Sequence, residues 1–174
     1  MDGNMAESQI KLTRTYQKLV RGTNINETTL LATDYLNHYN ELVMMLDLIP
    51  DMPEMLDEAK EWKPKSYAEH FMDSTFSDKK LAILAYDNAA DEYRLPFDSA
   101  LKEADDKIAT SLNDIETVIK ANIDGQLREA VALISREIQE ILDRTSAIIN
   151  GDYGKQEEAE SITLDQADID ALFD

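Results

Sequence analysis

The chain has no cysteine, only five glycines and four prolines, and few cations. Without cysteine there are no disulfides, thiolate metal sites or thiol nucleophiles. Seventeen Lys and Arg stand against 36 Asp and Glu, a formal charge of −19 over 174 residues. That balance argues against a basic nucleic-acid footprint and against attraction to an anionic membrane surface. No apolar run reaches the roughly 18 residues needed to span a bilayer. The opening Met1-Asp2-Gly3-Asn4 does not read as a signal peptide, so a soluble, cytoplasmic protein is expected. No segment alternates apolar and polar β-branched residues long enough for a strand.

What is present is helical. Hydrophobic residues make up 43% of the chain, enough for a real core. Sparse Gly and Pro, with much Ala, Leu, Glu, Asp and Ile, predict an all-α bundle. A first helix fits Glu7 to Val20 and stops at Gly22, making residues 1–22 an N-terminal helical segment. Asn26 is a candidate N-cap for a second helix running through Asp34 and Glu41 to Pro50. Residues 50–77 hold three prolines and read as one short helix, Pro53 to Trp62, followed by a packed loop. A further short helix covers Asp78 to Asn88. Trp62 and the scattered methionines read as core.

The clearest pattern lies in residues 97–150, within a bundle spanning 23–150. Leu127, Val131, Ile134, Ile138, Ile141, Thr145 and Ile148 repeat at steps of four and three. Leu101, Ala104, Ile108, Leu112, Ile115 and Ile119 form a matching stripe. This is the two-per-heptad seam of packed helices. Gly125 divides the stripes, which predicts an antiparallel hairpin of two helices of about 25 residues, roughly 37 Å each. Such a hairpin could also pair with a second copy to form a homodimer.

Residues 151–162 are polar, acidic and carry Gly151 and Gly154, the composition of a flexible linker. Residues 152–174 contain eight acids and one Lys, so −7 of the −19 sits there. A short amphipathic segment, 163–174, ends the chain. Asp165 with Asp168, or Thr163 with Gln166, has capping-box spacing. Leu164, Ile169, Leu172 and Phe173 would cluster on one side. A helix this short is marginal alone, so it either packs on its own domain or docks in a partner's groove.

Leu164-Asp165-Gln166-Ala167-Asp168-Ile169-Asp170-Ala171-Leu172-Phe173 resembles the receiver-docking segment of FliM-type flagellar switch proteins, which has the form L-S-Q-x-E-I-D-A-L-L. Asp165 stands for the Ser, Asp168 for the Glu and Phe173 for the last Leu. The match covers about ten residues. It implies that the segment binds a phosphorylated CheY-like response regulator. Leu164, Ile169, Leu172 and Phe173 would then form the apolar docking face, Asp168 and Asp170 would meet a basic rim, and Gln166 would help set register. In FliM the segment is N-terminal. A C-terminal docking helix after a linker and a long hairpin is similar to the layout of CheZ-type phosphatases. Any Mg²⁺ would be held by the partner receiver, and no cofactor of the chain's own is expected.

Aspartyl-phosphate hydrolysis can be assisted by a carboxamide that orients water and an acid that grips the receiver's lysine. On a helix the two must lie three or four residues apart to share a face. CheZ-type phosphatases use acid-x-x-x-Gln. Here that spacing occurs only at Asp152 and Gln156, in the linker. In the hairpin, Ser135 precedes Gln139 and Arg144 follows Glu140, so the motif is missing there. Another CheY phosphatase family uses acid-x-x-Asn, and within a predicted helix this occurs at Asp34 and Asn37, with Asn40 and Glu41 on nearly the same face. Asp34 and Asn37 are therefore the candidate catalytic pair, against the alternative of a solvated polar face. His38 lacks the following residues of a histidine phosphotransfer site, and His70 reads as a packed loop residue. Two isolated histidines without cysteine make a transition-metal site unexpected. Three readings follow: a receiver phosphatase, a non-enzymatic adaptor or sink for a CheY-like receiver, and an unrelated helical interaction protein.

Overall fold

The computed structural model describes residues 2–152. Segments 153–162 and 163–174, with Leu164, Gln166, Asp168, Ile169, Asp170, Leu172 and Phe173, lie outside the described residues. Among the described residues the protein is all-α, with seven α-helices and no strand. These are α1 (Asp2–Leu19), α2 (Asn37–Leu48), α3 (Met55–Glu61), α4 (Tyr67–Asp73), α5 (Lys79–Asp87), α6 (Asp91–Ala121) and α7 (Gln126–Ile149). A 3-10 turn, Thr33–Leu36, leads into α2. No described helix is long and apolar enough to cross a membrane.

The core is the seam between α6 and α7, with α2 laid on α7. Val131, Ile134, Ile138, Ile141, Thr145 and Ile148 of α7 are buried against Ala104, Ile108 and Ile115 of α6. Thr145 sits in the seam because its hydroxyl donates to the Ile141 carbonyl at 2.7 Å, so no polar group is stranded there. The ion pairs Lys107–Glu137 and Glu103–Arg144 show that the two helices run in opposite directions. The turn between them carries Asn122 and Gly125 at φ of +51° and +77°, a left-handed geometry that Asn and Gly tolerate best.

Several local expectations need correction. α6 begins at Asp91 and runs through Pro96 for 31 residues. Proline at the sixth position removes one helix bond near an end. The Arg94 guanidinium donates to the Asp91 carboxylate and to the Asp87 carbonyl, tying the start of α6 to the end of α5. Asn26 caps a single turn rather than a helix. Its side chain accepts from the Thr28 and Thr29 amides at 2.9 Å, but Leu30 then adopts a φ of +62°. The chain breaks there because Leu30, Leu31 and Ala32 are wholly buried. Residues 67–73, expected as loop, form α4 behind a capping box between Ser66 and Glu69. The methionines are not uniformly core: among the described residues Met5, Met44, Met52 and Met72 are exposed, and Met45 and Met55 pack partly inside. Trp62 is buried as expected.

Ile138 is fully buried at the centre of the seam. Truncation to Ala should cost about 2–5 kcal/mol through lost burial and a residual cavity. Urea unfolding should show this as a lower midpoint with an unchanged slope.

Candidate functional site

Asp34 and Asn37 line a polar cleft of about 400 Å³ together with His38, Glu41, Lys65, His70, Asp73, Ser74, Thr75 and Phe76. Asp34 belongs to the 3-10 turn and Asn37 opens α2, its amide donating to the Asp34 carbonyl. Positions i and i+3 of a 3-10 turn lie one above the other, so the pair shares a face although the expected continuous helix is absent. Asn37 is exposed and Asp34 half-buried. Glu41 is also exposed, one turn further along α2.

The opposite wall is held by aromatic packing that the sequence pattern did not reveal. Tyr35 lies within 6 Å, ring centre to ring centre, of Tyr39, Tyr67, His70 and Phe97. Its hydroxyl donates to the Lys65 carbonyl at 2.5 Å. Tyr67 accepts from the Ala32 amide at 2.9 Å, and its ring stacks on Tyr86 at 4.5 Å. Trp62 donates to the His38 carbonyl at 2.9 Å. The His38 ring stacks on Trp62 at 4.6 Å and pairs with the Lys63 carbonyl at 2.6 Å. These bonds fix the non-helical stretch 62–66 against the start of α2 and bring Lys65 to the cleft.

Electrostatically the cleft is acidic. Asp34, Glu41 and Asp73 face one cation, Lys65, which pairs with Asp73 at 3.2 Å. Such a site favours a cationic side chain over an anion. His38 is buried and stacked, which removes it from phosphotransfer chemistry. His70 lies on α4 and lines the cleft rather than sitting in a loop. Burial holds its imidazole below the ordinary value, opposed by a hydrogen bond to the Asp34 backbone. On the far side of Tyr35, burial raises the Tyr35 hydroxyl to about 12 and raises the Asp105 carboxyl, which accepts from Tyr39 at 2.8 Å. Among the described residues no three His, Asp or Glu side chains are grouped to hold a metal.

The other residues singled out in the hairpin are engaged elsewhere. Ser135 donates to Asp47, Gln139 donates to Asp143, and Arg144 pairs with Glu103. A second cavity of about 450 Å³ lies on the far side of Tyr35, between Pro64, Tyr67, Tyr86, Phe97 and Leu101. Only the clustering of aromatics in residues 62–97 hinted at it. Comparison of the chain with family models, curated proteins and solved structures finds no match.

The His70 ring binds a proton less readily in the folded protein than in the unfolded chain. Below about pH 6.5 the unfolded chain therefore takes up more protons at this site, and stability falls with pH. Urea unfolding at about pH 7.5 and about pH 5.5 should show this drop, and His70→Gln should make it smaller.

Proposed function

We propose that the protein is a cytoplasmic regulator of chemotaxis or flagellar signalling that binds a phosphorylated CheY-like receiver through residues 163–174 and promotes its dephosphorylation. The observation that carries this reading is the order of residues in Leu164-Asp165-Gln166-Ala167-Asp168-Ile169-Asp170-Ala171-Leu172-Phe173, with its resemblance to the FliM-type docking segment. The linker acts as a tether and raises the receiver's effective concentration at the helical body to about the millimolar range.

In the catalytic step Asn37 orients a water in line with the phosphorus, while Asp34 grips the receiver's lysine. The water attacks, the acyl-phosphate P–O bond breaks, and inorganic phosphate leaves with the receiver's carboxylate restored. Two features support these roles. Asn37 is exposed at the mouth of the cleft, and the acids around it suit a lysine ammonium. The second reading is a non-enzymatic adaptor or receiver sink. It is favoured by the long hairpin, where the exposed Gln139 is tied to Asp143 in the reverse order from acid-x-x-x-Gln.

Deleting residues 163–174 should abolish receiver binding in a calorimetric titration; unchanged binding heat would overturn the docking role. Docking should also weaken as salt rises, because the segment is acidic. In a phospho-receiver decay assay the intact protein should accelerate hydrolysis. Asn37→Ala should lose about 100-fold of that acceleration while still binding, and binding without any acceleration by the intact protein would leave the adaptor reading.

A further inference from the structure

Helix α1 carries Lys11, Arg14 and Lys18, with Arg21 just beyond its end, at steps of three, four and three residues. That spacing places Lys11, Arg14 and Lys18 along one face of α1, in a protein whose net charge is −19. Arg21 pairs with Glu27, whereas Lys11, Arg14 and Lys18 have no carboxylate partner among the described residues.

Beside this stripe α1 is poorly covered. Ile10 is 51% exposed and borders a groove of about 420 Å³ that Arg14, Gln17, Thr28, Ala90 and Tyr93 also line. The groove is mostly apolar, with Arg14 and Glu92 as its charged residues, and the cationic stripe of α1 runs alongside it, the complement of an acidic amphipathic segment. The described chain ends at its mouth. The Thr29 hydroxyl donates to the Ile149 carbonyl at 2.5 Å, Gly151 packs near Thr29, and Thr28 is the groove residue next to it.

From these features we infer that residues 163–174 dock in cis in the α1 groove, with Leu164, Ile169, Leu172 and Phe173 on Ile10 and Tyr93 and the segment's acids along Lys11, Arg14 and Lys18. Length permits it. Ten residues separate Asp152 from the segment and reach up to about 33 Å, while the groove from Ala6 to Gln17 is about 17 Å long. Net charge agrees, since −7 of the total lies in residues 152–174. A docked segment is withheld from outside partners, so the groove sets the fraction of chains competent to bind them. This inference goes beyond receiver binding and does not depend on it.

Because the chain has no cysteine, Asp174→Cys accepts a single spin label. Amide signals of residues 6–17 and 90–93 should then be lost by paramagnetic broadening, while those around the Gly125 turn at the far end of α6 persist. The broadening should disappear in Arg14→Glu/Lys18→Glu, in Leu172→Ala/Phe173→Ala, and in about 0.5 M sodium chloride. Unbroadened α1 signals in the labelled chain would overturn the proposal, as would broadening that survives both variants. Equal broadening in a mixture of spin-labelled and isotope-labelled chains would overturn it in favour of a second copy occupying the groove. No receiver is present in this experiment, so its failure leaves receiver binding standing, and the reverse also holds.

Discussion

The structure turns on the Tyr35 ring and the hydrogen bonds that let buried aromatics be polar at their tips. Phenol and indole groups add apolar area but must find a partner when they leave water. Here the partners are main-chain groups, and in each bond one side belongs to a stretch with no helix of its own. Tyr35 holds the Lys65 carbonyl, Tyr67 holds the Ala32 amide and Trp62 holds the His38 carbonyl. Each bond therefore satisfies a side chain and a stretch of irregular backbone together. No buried side-chain polar atom is left without a partner among the described residues. Without this mesh, residues 62–66 would have no reason to lie against α2, and Lys65 and His70 would not face Asp34 and Asn37.

What could be read from the sequence follows from where the driving force lies. The α6–α7 seam was legible because burial on one face repeats every three to four residues, and nothing in the seam conflicts with helix propensity. Thr145 fits the same rule, since a mid-helix threonine can bond the carbonyl one turn back. The region between residues 26 and 96 was harder to read because tertiary burial overrides local signals there. Asn26 is a sound cap, yet the three apolar residues after Thr29 gain more from the core than from extending a turn. Pro96 looked like a boundary, but near a helix end its cost is a single bond. Ser66 and Glu69 have the spacing of the capping box that starts α4, but the prolines of residues 50–64 made the stretch read as a loop. Of the candidate pair, the three-residue spacing of Asp34 and Asn37 was legible, while the cleft around them was not. Its walls come from α4 and residues 62–66, which no periodicity links to α2.

The charge distribution separates what holds the protein together from what it presents. Most cations of the helical body are in exposed or half-exposed pairs, such as Lys60–Glu116, Arg128–Asp51 and Lys102–Asp106. Pairs of this kind contribute roughly 0–1 kcal/mol each, too little to set stability beside a seam of buried isoleucines. What they can set is register. The Ser135–Asp47 bond ties α7 to α2 and Arg128–Asp51 ties it to the turn after α2, as Lys107–Glu137 and Glu103–Arg144 tie it to α6. The cations of α1 answer to neither purpose, since they cross no helix–helix seam and lie on the least covered helix. In a strongly acidic chain a cationic stripe of that kind lowers the energy of whatever anionic surface approaches it, and residues 152–174, which carry −7 of the net charge, are such an anionic stretch. Acidity then has two physical roles open to it in one molecule: like charges on the body repel other copies, and the docking proposed above would use the acids of residues 163–174 against the cations of α1.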